Sequence, residues 1–188
     1  MKKITLVATA LLVSFATFAQ QWTVDKAHAK VGFTVTHLLI SEVDGNFKAF
    51  DASVTSSKED FSDAVFSLTA DVNSFNTEND NRDKDLKGES GFNVEKFPTL
   101  TFKSTSISKV ADKKFKLTGD LTMKGVTKPV TLDLILMGMG KNNRTQKLKA
   151  GFKITGTIKR TDFGIGGMPA AVVAEDVELR AVGEFNQM

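Results

Sequence analysis

Cysteine and tyrosine are absent from the 188 residues, tryptophan occurs once and histidine twice. With no cysteine there are no disulfides and no thiolate metal ligands. Stability must come from the core alone, for which about 170 residues suffice. The two histidines, His28 and His37, fall on different strands with no HExxH spacing and no third ligand. Two structural histidines account for them better than a zinc site. Charge of one sign is scarce as well, since 25 Lys and Arg against 22 Asp and Glu leave a net +3. That balance supplies no basic surface for nucleic acid. The one long apolar run, residues 4–15, is too short to cross a bilayer as a helix.

What is present begins with that run. Lys2 and Lys3 precede it, and Thr17 and Ala19 place small residues at the −3 and −1 positions of a cleavage site. The expectation is a signal peptide over 1–19 and one mature domain over 20–188. Such a protein is periplasmic or secreted, with no stable membrane insertion after cleavage and, lacking cysteine, no lipid anchor. Losing Lys2 and Lys3 takes the net charge from +3 to 3 − 2 = +1. Fifteen Phe, which offer apolar area without a polar handle, suggest a greasy interior.

Beyond residue 20 the chain alternates with period two. After a short strand over 22–28, Val31, Phe33, Val35 and His37 share one face of a strand over 30–38. Asp44-Gly45 reads as a turn, and a strand over 46–54 slips register between Phe47 and Phe50, the mark of a bulge. Phe66, Leu68, Ala70 and Val72 point inward from 64–75. Leu100 and Phe102, then Phe115, Leu117, Leu121 and Met123, then Leu132 and Leu134 continue the pattern. Gly125 and Pro129 bracket a turn, because proline cannot join a central ladder. Residues 138–144 read as a loop, 147–159 as a strand with Phe152, Ile154 and Ile158 inward, 161–171 as a Gly/Pro loop, and 176–185 as a last strand. About eight or nine strands at this spacing are the pattern of an antiparallel barrel or sandwich.

Residues 73–104 break the alternation. Within them 77–87 has helix composition: Asn76 or Thr77 can cap, acidic residues come early, Lys84 and Lys87 come late, and Gly88 or Gly91 can stop it. Leu86 is its one strongly apolar side chain, so specific contacts must hold the helix. Asn79, Asn81, Asp83 and Asp85 mimic a calcium loop but lack Gly at the sixth position and Glu at the twelfth. Gly88-Glu89-Ser90-Gly91 misses GxSxG by a residue. Arg82-Asp83 reads first as a solvated surface pair. The alternative has Arg82 meeting a ligand's polar end while Asp83 holds the loop backbone. No catalytic constellation survives these tests.

A dispersed series of short motifs adds to this. Trp22-Thr23-Val24-Asp25, Val31-Gly32-Phe33, His37-Leu38 and Gly45-Asn46-Phe47 open it. Asn81-Arg82-Asp83, Leu86, Phe92 and Phe97-Pro98-Thr99-Leu100-Thr101-Phe102 form its densest part. Gly119-Asp120-Leu121-Thr122, Gly125-Val126-Thr127-Lys128-Pro129-Val130 and Arg160-Thr161-Asp162-Phe163-Gly164-Ile165 close it. In this ordered series the chain resembles the YceI-like family over its whole mature length. Asp85 stands where that family often has His, and Gly91-Phe92 where a double aromatic is common. The resemblance implies an all-β fold, an extended eight-stranded antiparallel lipocalin-like barrel with a short helical insert between strands. It also implies a polyisoprenoid or isoprenoid quinone held inside as ligand, with no other cofactor and no metal.

On that reading Phe33, Val35, His37, Phe47, Phe66 and Leu68 line the cavity on one side. Phe102, Leu121, Leu132, Phe152 and Ile154 line it on the other, and Arg82, Leu86 and Phe92 stand at the mouth. Binding, transport or sequestration of an apolar lipid is the expected function. The alternatives are a small exported enzyme using His28 or His37 as acid–base, and a ligand-free β-module with a solid core. The sequence leaves a homodimer open.

Overall fold

The computed structural model describes residues 19–188. The expected signal peptide, 1–19, lies outside them except for its last residue. Strands run in the order β1 (Gln20–His37), β2 (Ser41–Phe47), β3 (Phe50–Ser56), β4 (Val65–Asp71) and β5 (Phe75–Asn76). They continue as β6 (Thr99–Ala111), β7 (Lys114–Met123), β8 (Val126–Lys141), β9 (Leu148–Lys159) and β10 (Val173–Gln187). A single α-helix among the described residues, α1 (Asp80–Lys87), separates β5 from β6, and 3-10 turns occupy Val72–Ser74 and Arg160–Phe163.

Every pairing is antiparallel, and β10 returns to β1 along most of its length, which closes the sheet. β2 and β3 both pair with β1 and form one bent strand. β4 and β5 continue one another alongside them in the same way. Counted so, the ten segments are the eight strands of a closed up-and-down barrel. Closure removes sheet edges, and alternation then sends one face of each strand inward. The slip between Phe47 and Phe50 is the bend itself. Ser74 ties both bends together, its carbonyl accepting from Lys48 N at 3.1 Å and its Oγ from Ala49 N at 2.9 Å.

Several sequence expectations are corrected. The strands over 22–28 and 30–38 are one strand, β1, and the strand over 64–75 is broken by the 3-10 turn Val72–Ser74. Asp44-Gly45 is not a turn. Gly45 lies inside β2 opposite Phe33, whose ring covers it so closely that a Cβ there would fall 2.2 Å from Phe33 Cζ. The turn is at Leu38 and Leu39, residues that carry no turn signal. Pro129 does not end a turn but sits inside β8 opposite Asp120, where β9 has not yet joined on the other side, so no ladder bond is lost. Residues 138–141 belong to β8, not to a loop.

One end of the barrel is solid. Trp22, Phe61, Phe115, Leu117 and Leu134 are almost wholly buried there. Ring centroids are 5.3 Å apart for Trp22 and Phe61, 5.0 Å for Phe61 and Phe152, and 5.6 Å for Phe152 and Phe185. The β3–β4 loop, 57–64, pushes Phe61 into this end as a plug. Asp63 shapes the loop by accepting from Ser56 Oγ at 2.5 Å, Ser57 N at 3.0 Å and the Ser57 hydroxyl.

Candidate ligand-binding site

Above the aromatic plug the interior is open. A cavity of about 530 Å³ runs from Phe152 and Phe185 up to the insert between β5 and β6. That size is typical of pockets that enclose a small molecule or cofactor. Its wall is apolar because inward residues of every strand but β5 face it, and Gly45 and Gly119 leave room for the Phe33 and Phe102 rings laid over them. Val31, Phe33, Val35 and His37 of β1 face Val177, Leu179 and Ala181 of β10 across paired strands.

Three segments frame the mouth: the insert, the β9–β10 loop over 164–172, and the upper end of β1 and β2. The helix of the insert is held by polar contacts, since α1 buries none of its residues. Asn79, not Asn76 or Thr77, caps the helix by accepting from Arg82 N at 3.0 Å. Thr77 has another task. It is buried, and its Oγ1 accepts from Arg82 Nε at 2.8 Å while donating to Asp83 Oδ1 at 2.5 Å. Its carbonyl accepts from Arg82 Nη2 at 2.6 Å and its N–H donates to Asp83 Oδ1 at 3.0 Å. The surface-pair reading of Arg82-Asp83 is thereby overturned. A charged hydrogen bond to a buried partner is worth more than an exposed ion pair, so both side chains fold back onto the chain.

Below the helix, Phe92 N donates to Leu86 O at 2.7 Å, and the Phe92 ring meets Phe75 at 5.5 Å. Phe75 meets Phe47 at 6.5 Å, and Phe47 meets Phe33 at 6.3 Å. A line of rings therefore joins the insert to the cavity wall. Lys124, in the β7–β8 turn, donates from Nζ to Glu89 O at 2.9 Å and to Gly164 O at 2.8 Å. Gly166 N donates to Ser90 O at 2.8 Å, so insert and β9–β10 loop hold each other.

That loop is shaped by Arg160. The side chain is 7% exposed and faces no carboxylate; its guanidinium donates to five backbone carbonyls. They belong to Ala174, Ile165, Gly166, Met168 and Val173, at 2.7–3.0 Å. All donors of the planar fork are used, which satisfies a buried cation through carbonyl dipoles.

Every residue the sequence placed on the cavity borders it: Phe33, Val35, His37, Phe47, Phe66, Leu68, Arg82, Leu86, Phe92, Phe102, Leu121, Leu132, Phe152 and Ile154. Asp85 borders it as well. Sequence reasoning missed Thr77, Lys124, Arg160 and the β10 wall. Arg160 stands directly after Lys159 and two residues before Asp162, and nothing in that local pattern sets it apart from a surface cation. His28 lies away from the cavity and pairs with Asp25 at 3.1 Å. Asp25, His28 and Glu184 come together as three ligand-type groups, but Lys149 Nζ already bridges Asp25 at 2.9 Å and Glu184 at 2.7 Å. Hydrogen bonds from Lys149 and then His28 hold the Asp25 carboxyl down at about 2. The carboxylates are neutralised by an ammonium, not poised for an ion.

The YceI-like domain matches residues 22–185. Protein YceI of Salmonella newport is 41% identical over 160 residues, covering 84% of this chain and 83% of its own. The solved Campylobacter jejuni YCEI protein superposes with a TM-score of 0.74 at 36% identity, over 88% of this chain and 97% of its own. A polyisoprenoid binding domain from Saccharophagus degradans shares the fold, with a TM-score of 0.65 at 14% identity over 89% of this chain and 98% of its own.

Proposed function

The chain belongs to the YceI-like family, and from that premise and its cavity we propose that it binds a long isoprenoid chain or isoprenoid quinone in the barrel interior. Its task is to carry or sequester that lipid in the periplasm or outside the cell. The observation that carries the reading is the cavity itself, about 530 Å³ walled by aliphatic and aromatic side chains in a barrel plugged at one end. A solid β-module would fill this space. The fold's relative from Saccharophagus degradans, described as a polyisoprenoid binding domain, offers a precedent for such a ligand.

The energetics favour a tail over a head group. Each buried methylene contributes about 0.8 kcal/mol, so one five-carbon unit supplies on the order of 3–4 kcal/mol before ordering costs. A few units suffice without a charged contact. The head then selects at the mouth, where Arg82 keeps Nη1 free of protein acceptors among the described residues and Asp85 also borders the cavity. A binding protein is the reading, not an enzyme. His37 borders the cavity, yet among the described residues its ring bonds to no carboxylate or nucleophile.

Mass spectrometry of an organic extract of purified protein tests this. An apolar molecule is expected at near-stoichiometric amount, replaceable by added polyprenyl quinone. Protein that comes clean and takes up no polyprenyl quinone refutes the proposal.

A further inference from the structure

The β1–β2 turn breaks two rules at once. Leu38 and Leu39 both adopt left-handed backbone, with φ of +52° and +60°, in a tight turn closed by Ile40 N donating to His37 O at 3.2 Å. Such turns are normally built from Asn and Gly, because a side-chain-bearing residue is strained there. The same residues also hold their side chains in water. Leu39 is 72% exposed, Ile40 84% and Leu38 49%. Each departure is costly, and neither is explained by packing within the chain.

The neighbouring segment has the same character. Leu38 N donates to Val172 O at 2.9 Å, which fastens the tip to the β9–β10 loop. From Phe163 to Ala174 that loop has no ionisable side chain, and Met168 in its middle is 59% exposed. Met168, Val172 and His37 border the cavity. An uncharged, apolar projection therefore stands at the lip of the mouth. A protein interface has a polar rim that hydrogen-bonds to its partner. The Leu38–Ile40 tip and residues 163–174 offer no side-chain donors or acceptors of their own, and hydrocarbon requires none. The N–H groups of Leu38 and Ile40 are already bonded, which lowers the cost of bringing the turn to the lipid interface.

We propose that the Leu38–Leu39–Ile40 tip and the adjoining loop form a bilayer-docking surface through which the cavity exchanges lipid with a membrane. The inference rests on the lipid-binding reading of the cavity. Because the contact is apolar, docking requires no anionic lipid and survives high salt.

The test is flotation of the protein with vesicles of phosphatidylcholine, and with vesicles of phosphatidylethanolamine and phosphatidylglycerol, at low and high salt. Cavity occupancy is followed separately with phenylnaphthylamine, an apolar fluorophore. The expected result is flotation with both vesicle types that L39D/I40D lowers about tenfold or more, with fluorophore binding intact. M137D/M139D, which alters exposed methionines at the opposite end of the barrel, should float like the parent. A parent protein that binds the fluorophore but stays with the sediment overturns the inference and leaves the cavity reading standing. Flotation lost at high salt, or unchanged in L39D/I40D, also overturns it. So does a parent dimer that L39D/I40D makes monomeric without any change in flotation, since the tip then serves a second copy. Failure to bind the fluorophore at all strikes the cavity reading, and the proposed exchange falls with it.

Discussion

Arg82, Arg160 and Arg180 border the cavity, and the groups around the first two assign them different work. Arg160 spends every donor on carbonyls of the β9–β10 loop and the first two residues of β10, so it is a scaffold for the mouth. Arg82 binds only Thr77 among the described residues and retains donors for something else. Asp63 shows how much one carboxylate can organise in a loop. Partial burial pushes its pKa up, but donors from Ser56, Ser57 and Lys58 outweigh this and hold it at about 2, below the ordinary 3.8. A carboxyl depressed on folding contributes stability above the unfolded value and loses it as pH falls through the folded one. Asp63→Asn should therefore cost about 1–2 kcal/mol at neutral pH. The gap from the parent should close as the pH drops from about 4 to about 2. Urea unfolding across that range measures it, and a gap independent of pH contradicts the assignment.

At the scale of elements, the insert contrasts with the strands that flank it. Strands hold through ladders and burial, whereas α1 buries no residue and depends on Thr77, Asn79, Arg82 and Asp83. Local opening should therefore be cheap there and uncoupled from global unfolding. Thr77→Val removes the hydroxyl that serves both Arg82 and Asp83. It should weaken the insert by about 1–2 kcal/mol, which speeds amide exchange by about five- to thirtyfold. The change should be confined to residues 77–92, with the melting temperature little altered. Exchange that rises equally in β7 and β8 would show the insert to be part of the barrel's cooperative unit. The β1–β2 turn is the other unusual element, and its strain lies beside the mouth, where a binding protein has use for it.

The whole molecule divides into a packed half and a hollow half. Trp22, Phe61 and Phe152 fill the first, and the second is left open behind Val35, Leu68 and Ile154. In a cavity kept for a ligand, filling it removes function and not stability. Val35→Trp should reduce uptake of polyprenyl quinone by about tenfold or more while raising the melting temperature or leaving it unchanged. Calorimetry with and without quinone checks both. A variant that keeps full uptake would place the ligand elsewhere.

The amino-acid sequence determined the fold class, because period-two alternation of large apolar side chains dictates which face of each strand is buried whatever its partners. It also determined the cavity wall: Phe33, Phe66, Leu121, Phe152 and Ile154 were legible as inward positions before any pairing was known. Barrel against sandwich was not legible from alternation, since both bury one face of each strand; only the β10–β1 closure decides it. The same holds for Gly45, a turn by composition but a bed for the Phe33 ring in space. It holds for Pro129, allowed within β8 because the β8–β9 pairing begins only at Asp133. Arg82 and Arg160 look like ordinary surface charges along the chain. Their roles appear only where Thr77 and the carbonyls of the β9–β10 loop converge on them, because hydrogen bonds depend on distance in space and not on separation in sequence.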